Sequence, residues 1–321
     1  MKHILVTGGA GFIGSHLCEH LLKDPDIKVT CIDNFDPFYP ESFKRHYLST
    51  LEKDPRFKLV EQDIAELGDL EVWLTDDYDT IVHLAGKAGV RPSIQYPAQY
   101  QQVNVIGTQN LLDFARIRGI KQFVFGSSSS VYGVNPNVPW KEEEKLMPIS
   151  PYAATKLSGE MAGHTYMHLY DIRFIALRFF TVYGPRQRPD LAIHKFTRDI
   201  IQGDPITVYG DGSSSRDYTY VEDIVQGIMA AIDYQATPFE IINVGNHHGI
   251  SLQEMIGTIE KVSGRKAIID RRPEQPGDVP QTVADISKAK KLLNYAPTTD
   301  FEDGIRKFVR WFEENQDWLL L

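Results

Sequence analysis

Short apolar runs alternate along this chain with longer stretches whose apolar residues recur at helical spacing. Lys2-His3-Ile4-Leu5-Val6-Thr7 is the first run, and a helical pattern follows the glycines after it, through Leu22. Ile27-Lys28-Val29-Thr30-Cys31-Ile32-Asp33 is the second, Arg56-Phe57-Lys58-Leu59-Val60 the third and Thr80-Ile81-Val82-His83-Leu84-Ala85-Gly86 the fourth. Runs this short and this apolar predict buried strands. Between them, Tyr100–Arg118 carries Val103, Ile106, Leu111, Leu112 and Ala115 at the spacing of an amphipathic helix. Phe123-Val124-Phe125 leads into Ser127–Ser130 as another strand, Tyr152–Leu169 reads as a helix and Arg173–Arg178 as a strand. Alternation this regular means parallel strands, right-handed crossovers and helices on both faces of one sheet. The predicted fold is α/β, a doubly wound parallel sheet, with ligands beyond the carboxyl ends of its strands.

The second half of the chain is less regular. Residues 181–220 leave the first domain, 1–180, while Val221–Tyr234 and Phe239–Val244 supply a helix and a strand that return to it. Residues 245–321, rich in proline and closing with the amphipathic helix Asp300–Asn315, join 181–220 in a smaller, discontinuous C-terminal α/β substrate domain. No linker separates the two parts, so a substrate is expected in the cleft between them.

The first strand runs into Gly8-Gly9-Ala10-Gly11-Phe12-Ile13-Gly14, which opens a helix. These glycines fit two registers, Gly9-x-Gly11-x-x-Gly14 and Gly8-x-x-Gly11-x-x-Gly14. Either lets the backbone turn tightly and a pyrophosphate approach the helix N-terminus, as in a Rossmann-type dinucleotide site. Asp33, at the end of the second strand, suits an adenosine ribose and repels a 2′-phosphate. Asn34 and Phe35 follow it rather than an arginine, which favours NAD over NADP. Asp63-Ile64 lies where an adenine would lie, and Leu84-Ala85 near the nicotinamide ribose. The cofactor set is therefore Gly8, Gly11, Phe12, Ile13, Gly14, Asp33, Asn34, Asp63, Ile64, Leu84 and Ala85, with Tyr152 and Lys156. Lys87 joins it as a candidate. Lys87 and Arg91, in the loop Lys87–Pro97, either reach a phosphate or solvate the loop. His83, inside an apolar strand, reads as a core histidine with its hydrogen bonds satisfied.

Composition narrows the ligand. The chain has 321 residues, 34 basic against 43 acidic, for a formal net charge of −9, which argues against nucleic-acid binding. Local arginines in an acidic protein suggest a small anion instead. Cys18 and Cys31 both fall in apolar patterns and read as core thiols of a reducing compartment. No run reaches a membrane span, the N-terminal run has no cleavable signal pattern, and the expected location is cytoplasmic. His247-His248 lacks metal-ligand spacing and reads as solvated; no metal site is expected.

Ser127-Ser128-Ser129-Ser130-Val131-Tyr132-Gly133 and Tyr152-Ala153-Ala154-Thr155-Lys156 carry the candidate chemistry. Tyr and Lys at i, i+4 share a helix face, so the ammonium can stand beside the phenol and favour the phenolate. Hydroxyls at a strand end can hydrogen-bond the same substrate oxygen.

The glycine turn, the Ser run before Val-Tyr-Gly and Tyr-x-x-x-Lys together resemble the extended short-chain dehydrogenase/reductases, in their nucleotide-sugar epimerase/dehydratase branch. Arg178-Phe179-Phe180-Thr181-Val182-Tyr183-Gly184-Pro185-Arg186-Gln187-Arg188-Pro189-Asp190 resembles the matching segment of UDP-glucuronate 4-epimerases. So do Gly210-Asp211-Gly212, Arg216-Asp217-Tyr218-Thr219-Tyr220-Val221 and Gln275-Pro276-Gly277-Asp278-Val279. The resemblance implies that Tyr152 takes the proton from the sugar 4-hydroxyl as C4 gives its hydride to NAD. Lys156 would bind the nicotinamide ribose and lower the Tyr pKa, and Ser128 would hold the same oxygen. The 4-keto sugar would turn over and take the hydride back, so NAD stays tightly bound and is recycled. The resemblance also implies a homodimer through the helices at Tyr100–Arg118 and Tyr152–Leu169.

Within this branch, hexose 4,6-dehydratases carry an Asp-Glu pair beside Ser128, and UDP-glucuronate decarboxylases a Glu at the position of Ser130. Ser129 and Ser130 leave epimerisation at C4. UDP-galactose 4-epimerases typically have Asn where Thr181 stands and Arg where Gln275 stands. Ser129, Ser130 and Thr181, with Arg186 or Arg188 near, would suit a sugar carboxylate. Arg216 and Asp278 match positions that contact the pyrophosphate and the uridine ribose, and Tyr209 would pack on the uracil. The alternatives are a UDP-galactose 4-epimerase or another nucleotide-sugar epimerase, then a UDP-glucuronate decarboxylase, and, from a different class, a non-catalytic NAD-binding sensor or scaffold.

Overall fold

The computed structural model describes residues 1–66, 70–273 and 279–320. Twelve strands are present among them: β1 Lys2–Thr7, β2 Ile27–Asp33, β3 Phe57–Glu61, β4 Thr80–His83, β5 Gln122–Ser128, β6 Arg173–Phe179, β7 Thr181–Tyr183, β8 Pro205–Tyr209, β9 Ser215–Tyr220, β10 Phe239–Val244, β11 Gly249–Ser251 and β12 Ile268–Arg272. Seven form one sheet in the order β10-β6-β5-β4-β1-β2-β3, every pair parallel. The chain winds outward in both directions from β1, so β1 and β4 flank the switch point where such sheets bind ligands.

Both faces of this sheet are dry, as alternation along each strand requires. On β1, Ile4 and Val6 join a core with Leu17, Cys18 and Leu21 of the helix Phe12–Leu21 and Ile224, Val225 and Ile228 of the helix Val221–Asp233. Leu5 points the other way, into a core with Leu111, Leu112 and Ala115 of the helix Gly107–Arg118. Phe123, Phe125 and Phe174 line that second face, against the helix Pro151–Tyr170. Cys18 and Cys31 are both buried thiols in the first core.

Two expectations change in detail. The loop after Lys87 contains a helix, Val90–Gln95. The expected helix Tyr100–Arg118 is also not uniform: Gln101–Ile106 is wound as a π-helix, and regular α-helix resumes at Gly107. The wider turn rotates the side chains out of α-helical phase. Ile106 is exposed and Val103 lies on the ligand cleft, while Asn104 takes the buried position.

The remaining strands build a smaller unit. A three-stranded sheet (β11-β9-β7) and a two-stranded one (β12-β8) pack with the helices Ala192–Gln202, Leu252–Ser263 and Phe301–Glu314. Its core includes Ile200, Ile206, Met255, Ile259, Phe308 and Phe312, and is continuous with Phe12, Tyr39 and Phe43 of the first unit.

Candidate active site

A cleft of about 510 Å³ opens at the carboxyl ends of β1, β2, β4, β5 and β6. Its floor is the glycine turn. Gly8 has φ +71°, and a Cβ there would fall 2.6 Å from the backbone nitrogen of Ala85, so a side chain is excluded by conformation and space alike. Gly8, Gly11 and Gly14 line the cleft, whereas Gly9 packs against Cys31 and Cys18; the structure thus selects the register Gly8-x-x-Gly11-x-x-Gly14. Gly11 is the N-cap of the Phe12–Leu21 helix, and no side chain caps that end. Its first N–H groups are left for an anion, as the pyrophosphate of a dinucleotide requires.

Asp33 ends β2 beside this turn. Its Oδ2 accepts from Ala10 N at 3.1 Å and its Oδ1 from Phe35 N at 2.9 Å. Burial pushes its carboxyl up, and those backbone donors oppose the shift. Phe12, Ile13, Asn34, Asp63, Ile64, Leu84, Ala85 and Lys87 line the same cleft. Asn34 Nδ2 donates to Asp63 Oδ2 at 2.8 Å. Lys87 is ion-paired to Asp36 at 2.9 Å and its N–H is held by Asn104 Oδ1 at 2.8 Å, so it faces the cleft rather than bulk solvent. His83 is buried between the hydroxyls of Thr7 (2.7 Å) and Thr108 (2.9 Å), and burial brings it down to about 3, so it stays neutral.

The other end of the cleft holds the Tyr/Lys pair. Ser150 accepts from Ala153 N at 3.1 Å and Pro151 occupies the first helical position, which starts the helix just before Tyr152. The Tyr152 phenol has the Ser128 hydroxyl as partner and the Arg188 guanidinium nearby. Burial pushes the phenol up, and Ser128 and then Arg188 pull it back. Lys156 Nζ donates to Gly126 O at 2.7 Å; burial brings this ammonium down to about 8 against the field of Glu160. Lys156, expected to lower the Tyr152 phenol, is not among the groups that do so. In the protein alone, Ser128 and Arg188 pull the phenol down, and burial outweighs them. Ser128 Oγ also donates to Ser130 Oγ at 3.1 Å and accepts from Ser130 N at 3.2 Å, which fixes the turn that presents Ser129 and Ser130.

Thr181 and Arg188 line the cleft with Ser129 and Ser130. Arg186 does not. Its backbone is left-handed, φ +65°, which turns its guanidinium onto Glu19 at 2.7 Å and over the Tyr47 ring. Arg188, two residues on, is held by Asp190 at 2.9 Å and lies over Phe38. Arg216 and Tyr209 lie on β9 and β8, half-buried, outside the residues that line the cleft; Arg91 sits 5.6 Å over the Tyr209 ring. Gln275 and Asp278 lie outside the described residues.

Sequence reasoning passed over several groups here. Asp36, Phe38, Tyr39 and Lys44 form a strap along the cleft, with Lys44 Nζ donating to Asp36 O at 2.6 Å. Asn104 bonds Lys87 O and Thr155 Oγ1, both at 3.0 Å. Its one sequence signal was a polar residue inside an apolar helical pattern. Among the described residues, no cluster of His, Cys, Asp and Glu forms a metal site, and no helix is long and apolar enough to cross a membrane.

Comparison with known proteins agrees with this architecture. The profile of the GDP-mannose 4,6-dehydratase family matches residues 5–308. A UDP-glucuronate 4-epimerase of Thermodesulfobacterium geofontis is 40% identical over 319 residues, covering 98% of this chain and 97% of its own. An uncharacterized UDP-glucose epimerase of Bacillus subtilis, YtcB, is 43% identical over 311 residues, covering 96% and 97%. The crystal structure of UDP-glucuronic acid 4-epimerase from Bacillus cereus, in complex with UDP-glucuronic acid and NAD, superposes with a TM-score of 0.90 at 40% identity, covering 98% and 99%. A cleft with an uncapped helix over a glycine turn at one end and Tyr152, Lys156 and Ser128 at the other, in a chain with these relatives, belongs to the GDP-mannose 4,6-dehydratase family of extended short-chain dehydrogenase/reductases.

Proposed function

We propose that this protein is an NAD-dependent isomerase that interconverts UDP-glucuronate and UDP-galacturonate by epimerisation at C4. The observation that carries it is the company Tyr152 keeps: Ser128, Ser129, Ser130, Thr181 and Arg188 share its cleft, and the Ser run holds no carboxylate. Dehydration or decarboxylation would call for an acid or base at Ser129 or Ser130. The family takes its name from a dehydratase, but these hydroxyls leave the 4-keto sugar with one outcome, reduction on its other face.

Bound NAD, held by the glycine turn, Asp33 and Lys156, supplies the reversible oxidation of C4. Tyr152 removes the proton of the 4-hydroxyl and later returns one, while Ser128 holds the same oxygen and keeps it in line with the phenol. Ser128 and Arg188 favour the phenolate against its burial, and the Lys156 ammonium lies one turn along the same helix face. Ser129, Ser130 and Thr181 hold the C6 carboxylate by hydrogen bonds, with Arg188 as its counter-charge. A 4-keto glucuronate is a β-keto acid that tends to lose carbon dioxide; fixing the carboxylate away from the alignment that loss requires protects the intermediate. Arg216 and Asp278 are assigned to the pyrophosphate and uridine ribose, and Tyr209 to the uracil. Residues 1–180 and 221–244 act as the NAD domain, 181–220 and 245–321 as the sugar domain.

Ile106 at the end of the π-helical turn, Ile117 on the helix Gly107–Arg118, and Met161 and Leu169 on the helix Pro151–Tyr170 are exposed, which supports a homodimer through that face. A reducing, cytoplasmic setting suits the two buried thiols. The deciding assay incubates the purified protein with UDP-glucuronate and, separately, with UDP-glucose, and resolves the products by chromatography. UDP-galacturonate is expected. Turnover of UDP-glucose alone overturns the substrate, and a UDP-pentose as main product overturns the reaction.

A further inference from the structure

Strand β5 and the Pro151–Tyr170 helix meet along a ladder of which the chemistry above uses only part. Gly126, Ser127 and Ser128 are consecutive on β5; Tyr152, Lys156 and Glu160 follow one another at one-turn intervals on the helix. Lys156 Nζ donates to Gly126 O at 2.7 Å, Ser127 Oγ donates to Glu160 Oε1 at 2.6 Å, and Ser128 partners Tyr152. The Glu160 rung is the most enclosed. Its side chain is 0% exposed, and that of Arg178, which grips it, is 1% exposed. Arg178 Nε and Nη2 donate to the two carboxylate oxygens at 2.9 and 2.8 Å. Arg178 Nη1 donates to Tyr132 Oη at 2.9 Å, and the Tyr132 hydroxyl donates in turn to Asn243 Oδ1 at 2.7 Å. One carboxylate thereby ties the helix to β5 and β6, and through Tyr132 to β10.

A buried ion pair is costly unless its charges are needed or fully bonded. Here the charge has a use. The titratable and charged groups that face Lys156 are His83 from β4 and Glu160 from its own helix, with Arg178 of β6 beyond it; those that face Tyr152 are Tyr100, whose ring lies 6.3 Å away, and Arg188 from the loop after β7. Among these described residues Glu160 is the one anion, and His83 is neutral.

We propose that Glu160 is a positioning residue: gripped by Arg178 and Ser127, it sets the helix on the end of β5 and supplies the negative charge that keeps Lys156 an ammonium beside Tyr152. The role in turnover rests on the epimerase reading of the site. Cβ atoms one helical turn apart lie ~6 Å from each other. At an effective dielectric of ~20, deleting a charge there changes a neighbour's proton affinity by about tenfold or more.

Glu160→Gln keeps the shape and removes the charge. Loss of an anion favours neutral lysine and tyrosinate, so both limbs of the kcat–pH profile move to lower pH, the alkaline limb by about one unit or more. Arg178→Met leaves the whole charge of Glu160 to Lys156 and moves the alkaline limb to higher pH. A substrate-free reading comes from tyrosinate absorbance, taken for each form against its Tyr152→Phe counterpart. This reads the phenol even where UDP-glucuronate is not turned over, and so separates failure of this proposal from failure of the functional one. A folded Glu160→Gln protein whose phenol and alkaline limb stay in place, with kcat lowered equally at every pH, overturns the proposal. Where that variant does not fold, Arg178→Met decides, and an unmoved limb and phenol there overturn it equally.

Discussion

Gly159→Ala tests how closely the Pro151–Tyr170 helix is fitted to the sheet. A Cβ at Gly159 would lie 2.4 Å from Cζ, 2.9 Å from Cε1 and 3.1 Å from Cε2 of Phe125, against an ordinary contact of 3.4 Å. Phe125 is 1% exposed and cannot swing clear. His83 and Phe174 flank its ring at 5.6 and 5.7 Å, and Lys156 Nζ sits 5.1 Å from its centroid. The helix must therefore move out by about 1 Å. Overpacking of this kind costs ~1–3 kcal/mol, and alanine's better helix propensity returns up to ~1 kcal/mol. The melting temperature should fall by a few degrees, at roughly 2–4 °C per kcal/mol. Activity should fall further, because Lys156 and Tyr152 ride on the same helix, three and seven residues earlier. A misplacement of ~1 Å can cost ~100-fold in rate. Thermal denaturation, with kcat and KM for UDP-glucuronate, measures both effects. A drop in kcat of roughly 10- to 100-fold with KM nearly unchanged is expected on that basis. Full kcat with an unshifted melting temperature would show that the helix yields freely and that the close fit does not set the geometry.

Other predictions concern the cleft and, last, a buried carboxylate on β9. Burial holds Lys156 at about 8 against an ordinary 10.5. The unfolded chain therefore binds the extra proton between those values, and stability rises with pH across that window. Lys156→Met should raise the melting temperature at pH 7, by less towards pH 10, while abolishing epimerisation; a lower melting temperature at pH 7 would count against a buried ammonium. Thr181→Ala should release a UDP-pentose by-product or lose epimerisation, and chromatography showing neither would remove Thr181 from the carboxylate site. Arg188→Met should cost ~10- to 100-fold in kcat/KM for UDP-glucuronate, as expected for a charge-assisted hydrogen bond, with UDP affinity by calorimetry unchanged. Equal weakening of UDP would place Arg188 on the phosphates instead. Asp217 is buried and accepts from the N–H groups of Asn246, His247 and Ala284, so Asp217→Ala should cost ~3–5 kcal/mol in urea denaturation by orphaning them.

Much of this protein is written in local patterns. The strand–helix alternation needs only the spacing of apolar residues, since each period reports one kind of backbone. The glycine turn, Asp33 and the Tyr152/Lys156 pair were likewise legible, because turn chemistry and i, i+4 spacing act within a few residues. What tertiary structure alone decided is where side chains aim when the backbone leaves those periods. The glycines allowed two registers until Gly9 met Cys31 and Cys18 and left Gly8 facing the cleft. Arg186 and Arg188 were equivalent as letters; the left-handed backbone at Arg186 sends one to Glu19 and leaves the other in the cleft. The π-helical turn put Asn104 in the buried place that α-helical spacing gave to its neighbours. Glu160 looked like any helix carboxylate until β6 brought Arg178 against it, 18 positions later in the chain. Burial of a charge depends on which elements meet, and no window along one element contains that.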